Sequence, residues 1–288
     1  MTIAADEAVV PARRRWLRPF RTDRKAQFGI AFLTLVVLCA IFAPWITPFD
    51  PTETSFDLTL SPPQLGHPLG VDDLGRDVLS RIIYGARVSI LVGLSTVAMA
   101  LVVGVALGLL AGYFGGWVDF LVMRYIDLQW AFPNFIIAVY LVAVFGTGLA
   151  NVIVAVSLAY LDDFARIARG MVLTIKQEQY VDAARTVGCS HLRIMLRHIL
   201  PNAAAPLIVQ ATVSVSYAIL AEAGLSFLGL GVDADTPTWG LILAEGRSFI
   251  SRAWWLGVFP GLFIMLTVLS INFVGDALRD ALDVRETA

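Results

Sequence analysis

Residues Ile175 to Pro201 read IKQEQYVDAARTVGCSHLRIMLRHILP. The stretch is polar, yet long apolar runs flank it on both sides. Ala183 and Ala184 sit on a short helix that Gly188 can close in the left-handed conformation. Ser190 can then cap a second helix carrying Leu192, Met195, Leu196 and Ile199. Pro201 fits the first turn of the apolar helix that follows. The spacing therefore predicts a compact helical knob between two apolar segments, with a smooth alanine surface able to enter a groove on another protein.

The rest of the chain explains where such a knob would sit. Of 288 residues, 58% are hydrophobic and 15% charged, and the mean hydropathy is +0.75. Ordinary soluble domains hold about 45–50% and about 25%. A soluble fold of this length cannot hide so much apolar surface, so lipid is the solvent for most of the chain. A net charge of −2 provides no basic field for nucleic acid. Cys39 and Cys189 make neither a disulfide framework nor a metal cluster.

Uncharged intervals act as a ruler for crossings, because a charge at a helix centre costs about 2.5–3.5 kcal/mol on insertion scales. Lys25–Asp50, Arg87–Asp119, Arg197–Glu222 and Arg252–Asp276 each bound one helix. Asp127–Asp162 encloses 34 residues with Gly146, Thr147, Gly148 and Asn151 near its middle, which predicts a tight hairpin of two helices. The expected architecture is an all-α integral membrane protein with six spans, roughly 28–48, 88–112, 119–145, 151–170, 202–229 and 254–278. Its expected divisions are a basic N-terminal segment (1–27), an anchor helix (28–48), an outer loop (49–86), a five-helix core (87–282) containing the 171–201 loop, and a short tail (283–288). Arginines and lysines gather before the first span, including Arg13, Arg14 and Arg15, and between the fourth and fifth. The positive-inside rule then places both termini and the knob in the cytoplasm. The first apolar run exceeds the length of a secretory signal's core, so it reads as a retained anchor, and its basic flank as an orientation signal.

Several residues inside the spans call for partners. Ala100, Gly104, Gly108, Gly112 and Gly116 recur every four residues, a stripe that lets another helix approach closely. Pro133 interrupts the third span and predicts a kink, with a hinge in a moving pathway as the functional alternative. Arg124 and Asp127 are three apart and can neutralise each other. Asp162 and Asp163 are expected at the cytoplasmic end of the fourth span, within reach of water. Glu222 has apolar helix on both sides, so it faces protein or an aqueous route; a structural hydrogen bond and a gating role both fit.

Catalytic signatures are missing. Neither lysine, Lys25 nor Lys176, follows a glycine, so the chain has no P-loop of its own. His67, His191 and His198 lack the spacing of a zinc helix, and no Gly-x-Ser-x-Gly elbow occurs.

With these features set out, the chain resembles the inner-membrane permeases of binding-protein-dependent ABC importers. Their cytoplasmic signature is Glu-Ala-Ala, three residues, Gly, nine residues, then Ile-x-Leu-Pro. Asp182, Ala183, Ala184, Gly188, Leu200 and Pro201 match at that spacing. Asp182 replaces the usual Glu, and His198 stands where Ile is usual. The 67–81 stretch, HPLGVDDLGRDVLSR, is similar to the outer-loop signature of the dipeptide, oligopeptide and nickel subfamily, as are Leu225–Gly231 and Pro237–Gly240. Together with the N-terminal anchor, the resemblance spans nearly the whole chain and is nearest the second, C-type permease. Taken without the family, Asp72, Asp73 and Asp77 suggest a calcium loop, but the EF-hand spacing is absent.

The resemblance implies a type I ABC importer permease fold and half of a translocation pathway in the cell membrane. It implies a homologous permease, two ATP-binding subunits carrying ATP and magnesium, an external solute-binding protein, no nucleic acid, and no cofactor on this chain. Coupling to the ATPases would involve Tyr180, Asp182, Ala183, Ala184, Arg185, Gly188, Leu200 and Pro201. Glu222 and Pro133 are candidates for the pathway or its gate, and Asp72, Asp77 and Trp239 for docking the binding protein. Peptides are the expected solutes, nickel or another small solute the alternative. Two other readings are a self-sufficient secondary transporter, which should show inverted repeats and internal ion-coupling charges, and a membrane scaffold.

Overall fold

The computed structural model describes residues 18–233 and 235–286, so the basic cluster Arg13–Arg15 lies outside the described residues. Twelve helices order the described chain, and no strand occurs among these residues. A short α1 (Arg18–Thr22) leads into α2 (Arg24–Ile46), where Asp23 caps the first turn by accepting from Lys25 N at 2.9 Å. After a loop comes α3 (Val78–Phe114), followed by α4 (Gly116–Trp130), α5 (Asn134–Phe145), α6 (Leu149–Ala159) and α7 (Leu161–Ile175). The knob contains α8 (Gln179–Thr186) and α9 (His191–Arg193), which runs on as a π-turn over Ile194–Ile199. The chain closes with α10 (Ala204–Phe227), α11 (Trp239–Gly246) and α12 (Trp255–Glu286).

Four helices, α2, α3, α10 and α12, are long and apolar enough to cross a bilayer, or five crossings result if the bent α4–α5 pair counts as one. α3 begins at Val78 rather than near residue 88, because Asp77 caps it by accepting from Ser80 N at 2.8 Å. Its 37 residues span about 55 Å at 1.5 Å per residue. That exceeds a hydrocarbon core of about 30 Å, so α3 links the two ends of the molecule.

The third expected span is sharper than a kinked helix. α4 and α5 meet at 94°, with Pro133 as the N-cap of α5. Proline disfavours helical backbone at the residue before it, so α4 ends instead of bending. The hairpin follows the expected turn: Gly146 and Gly148 take φ of +94° and +114°, and Asn151 Nδ2 donates to Phe145 O (3.1 Å) and Thr147 O (3.2 Å). The fourth expected span is divided at Tyr160 (φ −116°, ψ 10°) into α6 and α7, each too short to cross alone.

The glycine stripe works as its spacing implies as far as Gly112. α3 and α7 form the most extensive helix pair, and a Cβ at Gly104 or Gly108 would collide with Leu161 O or Ala165 O. A Cβ at Gly112 would stand 2.8 Å from Val172 Cβ. Gly116 is not part of this face: Gly115 and Gly116 have φ of +65° and +53° and turn the chain into α4. One apolar core surrounds the α3–α7 seam, and a second joins α2, the start of α3, α11 and α12.

Candidate functional site

The knob is folded locally by its own sequence. Gly188 has φ +83°, and the turn it makes lets Cys189 N donate to Ala184 O at 3.0 Å, closing α8 as predicted. Ser190 caps α9, accepting from Arg193 N. Pro201, however, lies in a turn three residues before α10 rather than in its first turn. The π-turn, closed by Leu200 N to Met195 O at 2.9 Å, spends extra chain there.

α8 has two faces. Val181 and Ala184 pack into the α3–α7 core. Tyr180, Ala183 and Val187, at i, i+3 and i+7, point outward, with Tyr180 43% and Val187 84% exposed. Asp182 and Arg185 flank this apolar stripe and pair with each other at 2.9 Å in water. Leu192 and Leu196 extend the exposed apolar surface beyond Gly188. Isolated exposed apolar residues need no explanation, but a contiguous patch marks an interaction surface.

Three polar contacts tie the knob to the end of α3. Lys176 Nζ donates to Gly112 O at 2.8 Å, His191 Nδ1 lies 2.8 Å from the Tyr113 hydroxyl, and the Arg185 guanidinium stands 5.9 Å from the Tyr113 ring centre. α7 is pinned in turn to α4. Arg169 makes a two-pronged ion pair with Asp119 (2.5 and 2.7 Å), and Arg166 reaches Asp127 at 3.0 Å while lying over the Trp130 ring. Asp127 is thus neutralised by the facing helix rather than by Arg124, whose guanidinium instead sits 5.2 Å from the Phe120 ring centre. The sequence names Lys176 and His191 only to exclude a P-loop and a zinc helix, and Tyr113 not at all, because their bracing contacts join positions far apart in the chain.

At the opposite end of α3, the aspartates form an interior network. Asp72 accepts from Arg76 Nε at 2.6 Å and from Arg81 Nη1 at 2.5 Å, and both arginines also reach Glu245 (2.9 and 2.6 Å). Asp72 and Arg81 are each 1% exposed. Asp77 is occupied by Ser80 and by His67 at 2.9 Å. Trp239 is fully buried and donates from Nε1 to Ile82 O at 2.9 Å, with Thr238 capping α11. The Asp72, Asp77 and Trp239 side chains therefore face inward, and a docking contact through them is not what the geometry offers. Burial, then the Asp72 and Glu245 charges, pushes the Asp73 carboxyl up. Burial opposes the Arg76 charge, but Asp72 and Glu245 together outweigh it and raise its pKa. Glu245, which completes the network, carries no local sequence signal.

Of the membrane-depth acids, Glu222 faces protein, one of its two expected settings, whereas Asp162 and Asp163 lie elsewhere than expected. Glu222 is 0% exposed; one oxygen accepts from Ser226 at 2.8 Å and the other has no partner. Ser226 is packed tightly against Gly231, so Glu222 faces a closed seam rather than an open route. Pro133 is exposed at the α4–α5 bend. Asp162 and Asp163 open α7, with most of that helix still to follow, so they lie near the middle of the 149–175 run. Asp162 is fully buried rather than in water.

Residues 104–287 match the family model for the binding-protein-dependent transport system inner membrane component, and residues 12–63 match the N-terminal transmembrane domain of oligopeptide transport permease C. The chain belongs to the binding-protein-dependent transport system inner membrane component family. Among relatives of this component, the di/tripeptide transport system permease protein of Pseudomonas aeruginosa is 47% identical, covering 97% of this chain and 95% of that protein. The dipeptide transport system permease protein of Alkalihalophilus pseudofirmus is 43% identical over 96% and 90%. A glutathione transport system permease protein of Escherichia coli is 43% identical over 98% and 93%. The inward-facing MetNI methionine ABC transporter shares the fold of this component, with a TM-score of 0.55 at 19% identity over 70% of this chain and 97% of that one.

Proposed function

We propose that this inner-membrane component is half of the pathway of an ATP-driven peptide importer, coupled to ATPase subunits through the knob. The outward stripe Tyr180–Ala183–Val187, held on a Schellman-type turn and tied to α3, is the observation that carries this reading. The relatives' names supply the solute class, small peptides. In this reading the knob lies in the cytoplasm, both termini share that side, and α6 with α7 makes the fourth of six crossings. ATP and magnesium are held by the partner subunits, whose closure pushes the knob.

The mechanism is mechanical. Val181 and Ala184 key α8 into the α3–α7 core, while Lys176, His191 and Arg185 hold it to the tip of α3. A push on the stripe therefore moves α3 and α7 together, since their backbones touch along the glycine seam. The α4–α5 bend at Pro133 and the break at Tyr160 are the places where helices can change relative angle. Packed seams favour two discrete arrangements over gradual deformation. At the outer end, Asp72, Arg76, Arg81 and Glu245 brace the surface that faces the binding protein.

Gly188→Val tests the coupling. A β-branched side chain at φ +83° costs about 1–2 kcal/mol locally and misdirects α9. In the reconstituted complex, peptide-stimulated ATPase activity should be lost while membrane insertion persists. Stimulation at the level of the unsubstituted complex would remove the coupling assignment.

A further inference from the structure

The seam between α7 and α10 carries a polar strip at a depth where the remaining surface is apolar. Asp163 and Tyr160 contribute from the start of α7, and Gln210, Ser214 and Tyr217 from α10 at i, i+4 and i+7. Gln210 Nε2 donates to Asp163 Oδ2 at 3.2 Å and to Ser214 Oγ at 3.4 Å. The Tyr160 and Tyr217 rings stack with centroids 6.4 Å apart and planes at 15°. Asp163 and Gln210 are half-buried, and Tyr217 is 49% exposed. The opposite face of α10 is apolar, with Leu207, Ile208 and Ala211 lining a cavity of about 690 Å³ against α3. A carboxylate and an amide half-exposed to hydrocarbon would cost several kcal/mol, so the strip faces water or another molecule.

One further observation points to a body outside this chain. Gly170 lies two turns along the same face of α7, in ordinary helical conformation, with nothing within 4 Å of the position its Cβ would take. A helix-interior glycine costs about 0.5–1 kcal/mol relative to alanine, and no packing within the chain calls for it. Asp162, next to Asp163, is fully buried within the chain and is not part of the strip. Arg166, one turn along α7, makes its ion pair with Asp127 and lies over the Trp130 ring. The strip therefore holds a carboxylate, Asp163, with no ion pair among the described residues, walled by two aromatic rings and open where glycine leaves room.

Resting on the importer reading above, we propose that this strip is the solute-contacting surface of this half of the pathway. Asp163 binds the ammonium group of a passing peptide, and Tyr160, Tyr217 and Gln210 contact its π-favoured cation and its amides. A carboxylate attracts an ammonium at this depth far more than in water, and stacked tyrosine faces add cation–π attraction. Glu222, sealed behind Ser226, takes no part.

The test uses the complete complex in proteoliposomes with its binding protein and a free dipeptide. Asp163→Asn should lower uptake by about tenfold or more, the scale of a lost charge-assisted hydrogen bond, with assembly and thermal stability retained. Asp163→Glu should restore most of it, which a merely structural role would not require. Separately, Asp163→Cys with Cys39 and Cys189 replaced by serine should react with a water-soluble cationic thiol reagent, and saturating dipeptide should slow the reaction. Val102→Cys, on α3 where it lines the apolar cavity, should stay inert. Peptide uptake unchanged by Asp163→Asn, or a Cys at 163 as inert as the Val102 control, would overturn the proposal and leave the importer reading standing. A wild-type complex that carries another solute but no peptide would instead overturn the peptide reading, and the ammonium assignment with it.

Discussion

The two ends of α3 hold the two best-marked motifs of the chain, and they use their residues in opposite ways. At the Val78 end, Asp72, Arg76, Arg81, Asp77 and Trp239 are buried and spend their polar groups on one another or on Glu245, Ser80, His67 and Ile82. At the Phe114 end, Tyr180, Asp182, Ala183, Arg185, Val187 and Gly188 lie at the surface, and their one ion pair is solvated. The first motif braces and the second presents. A recognisable spacing thus says that residues act together, but only burial says whether they touch a partner or hold a shape.

Substitutions at the two ends should separate these roles. The largest effect is expected for Arg81→Ala, which leaves Asp72 buried with one cation fewer. Breaking such a pair costs about 3–5 kcal/mol, so the purified protein should unfold well below the parent temperature in detergent. Next comes Gly108→Val on the seam joining the ends. Its side chain must displace the Ala165 backbone, and overpacking of this kind costs about 1–3 kcal/mol, read in the same melting assay together with loss of uptake. Val187→Ser should leave stability within about 0.5 kcal/mol, because the side chain is exposed, yet weaken retention of the ATPase subunits on copurification. The smallest effect on stability belongs to Asp182→Ala: an exposed i, i+3 pair is worth about 0.2–1 kcal/mol, so melting should change little. A strong stability loss from Val187→Ser, or none from Arg81→Ala, would erase the contrast between bracing and presenting.

Much of this was legible because the signals are local. Gly188 and Ser190 fix the knob by turn and cap chemistry, Asn151 with Gly146 and Gly148 fixes the hairpin, and the four-residue recurrence of Gly104, Gly108 and Gly112 announces a close seam. The break at Tyr160 was hidden, since neither proline nor glycine marks it. Asp162 and Asp163 delimited an uncharged interval and suggested a helix end in water, whereas they begin a new helix, where negative charge suits the dipole. The Glu245 network and the Lys176, Tyr113 and His191 braces join distant positions, and no periodicity encodes them. Pro133 was visible as an interruption, but not the 94° angle it accompanies, which depends on what α4 and α5 pack against.

The central claim, that the outward stripe of α8 is gripped by the ATPase subunits, is tested most directly by protection of a single cysteine. Ala183→Cys, with Cys39 and Cys189 replaced by serine, would be exposed to a water-soluble thiol reagent in membranes with and without coexpressed ATPase subunits. The account predicts rapid labelling without them and strong protection with them. Equal labelling in both membranes would contradict it.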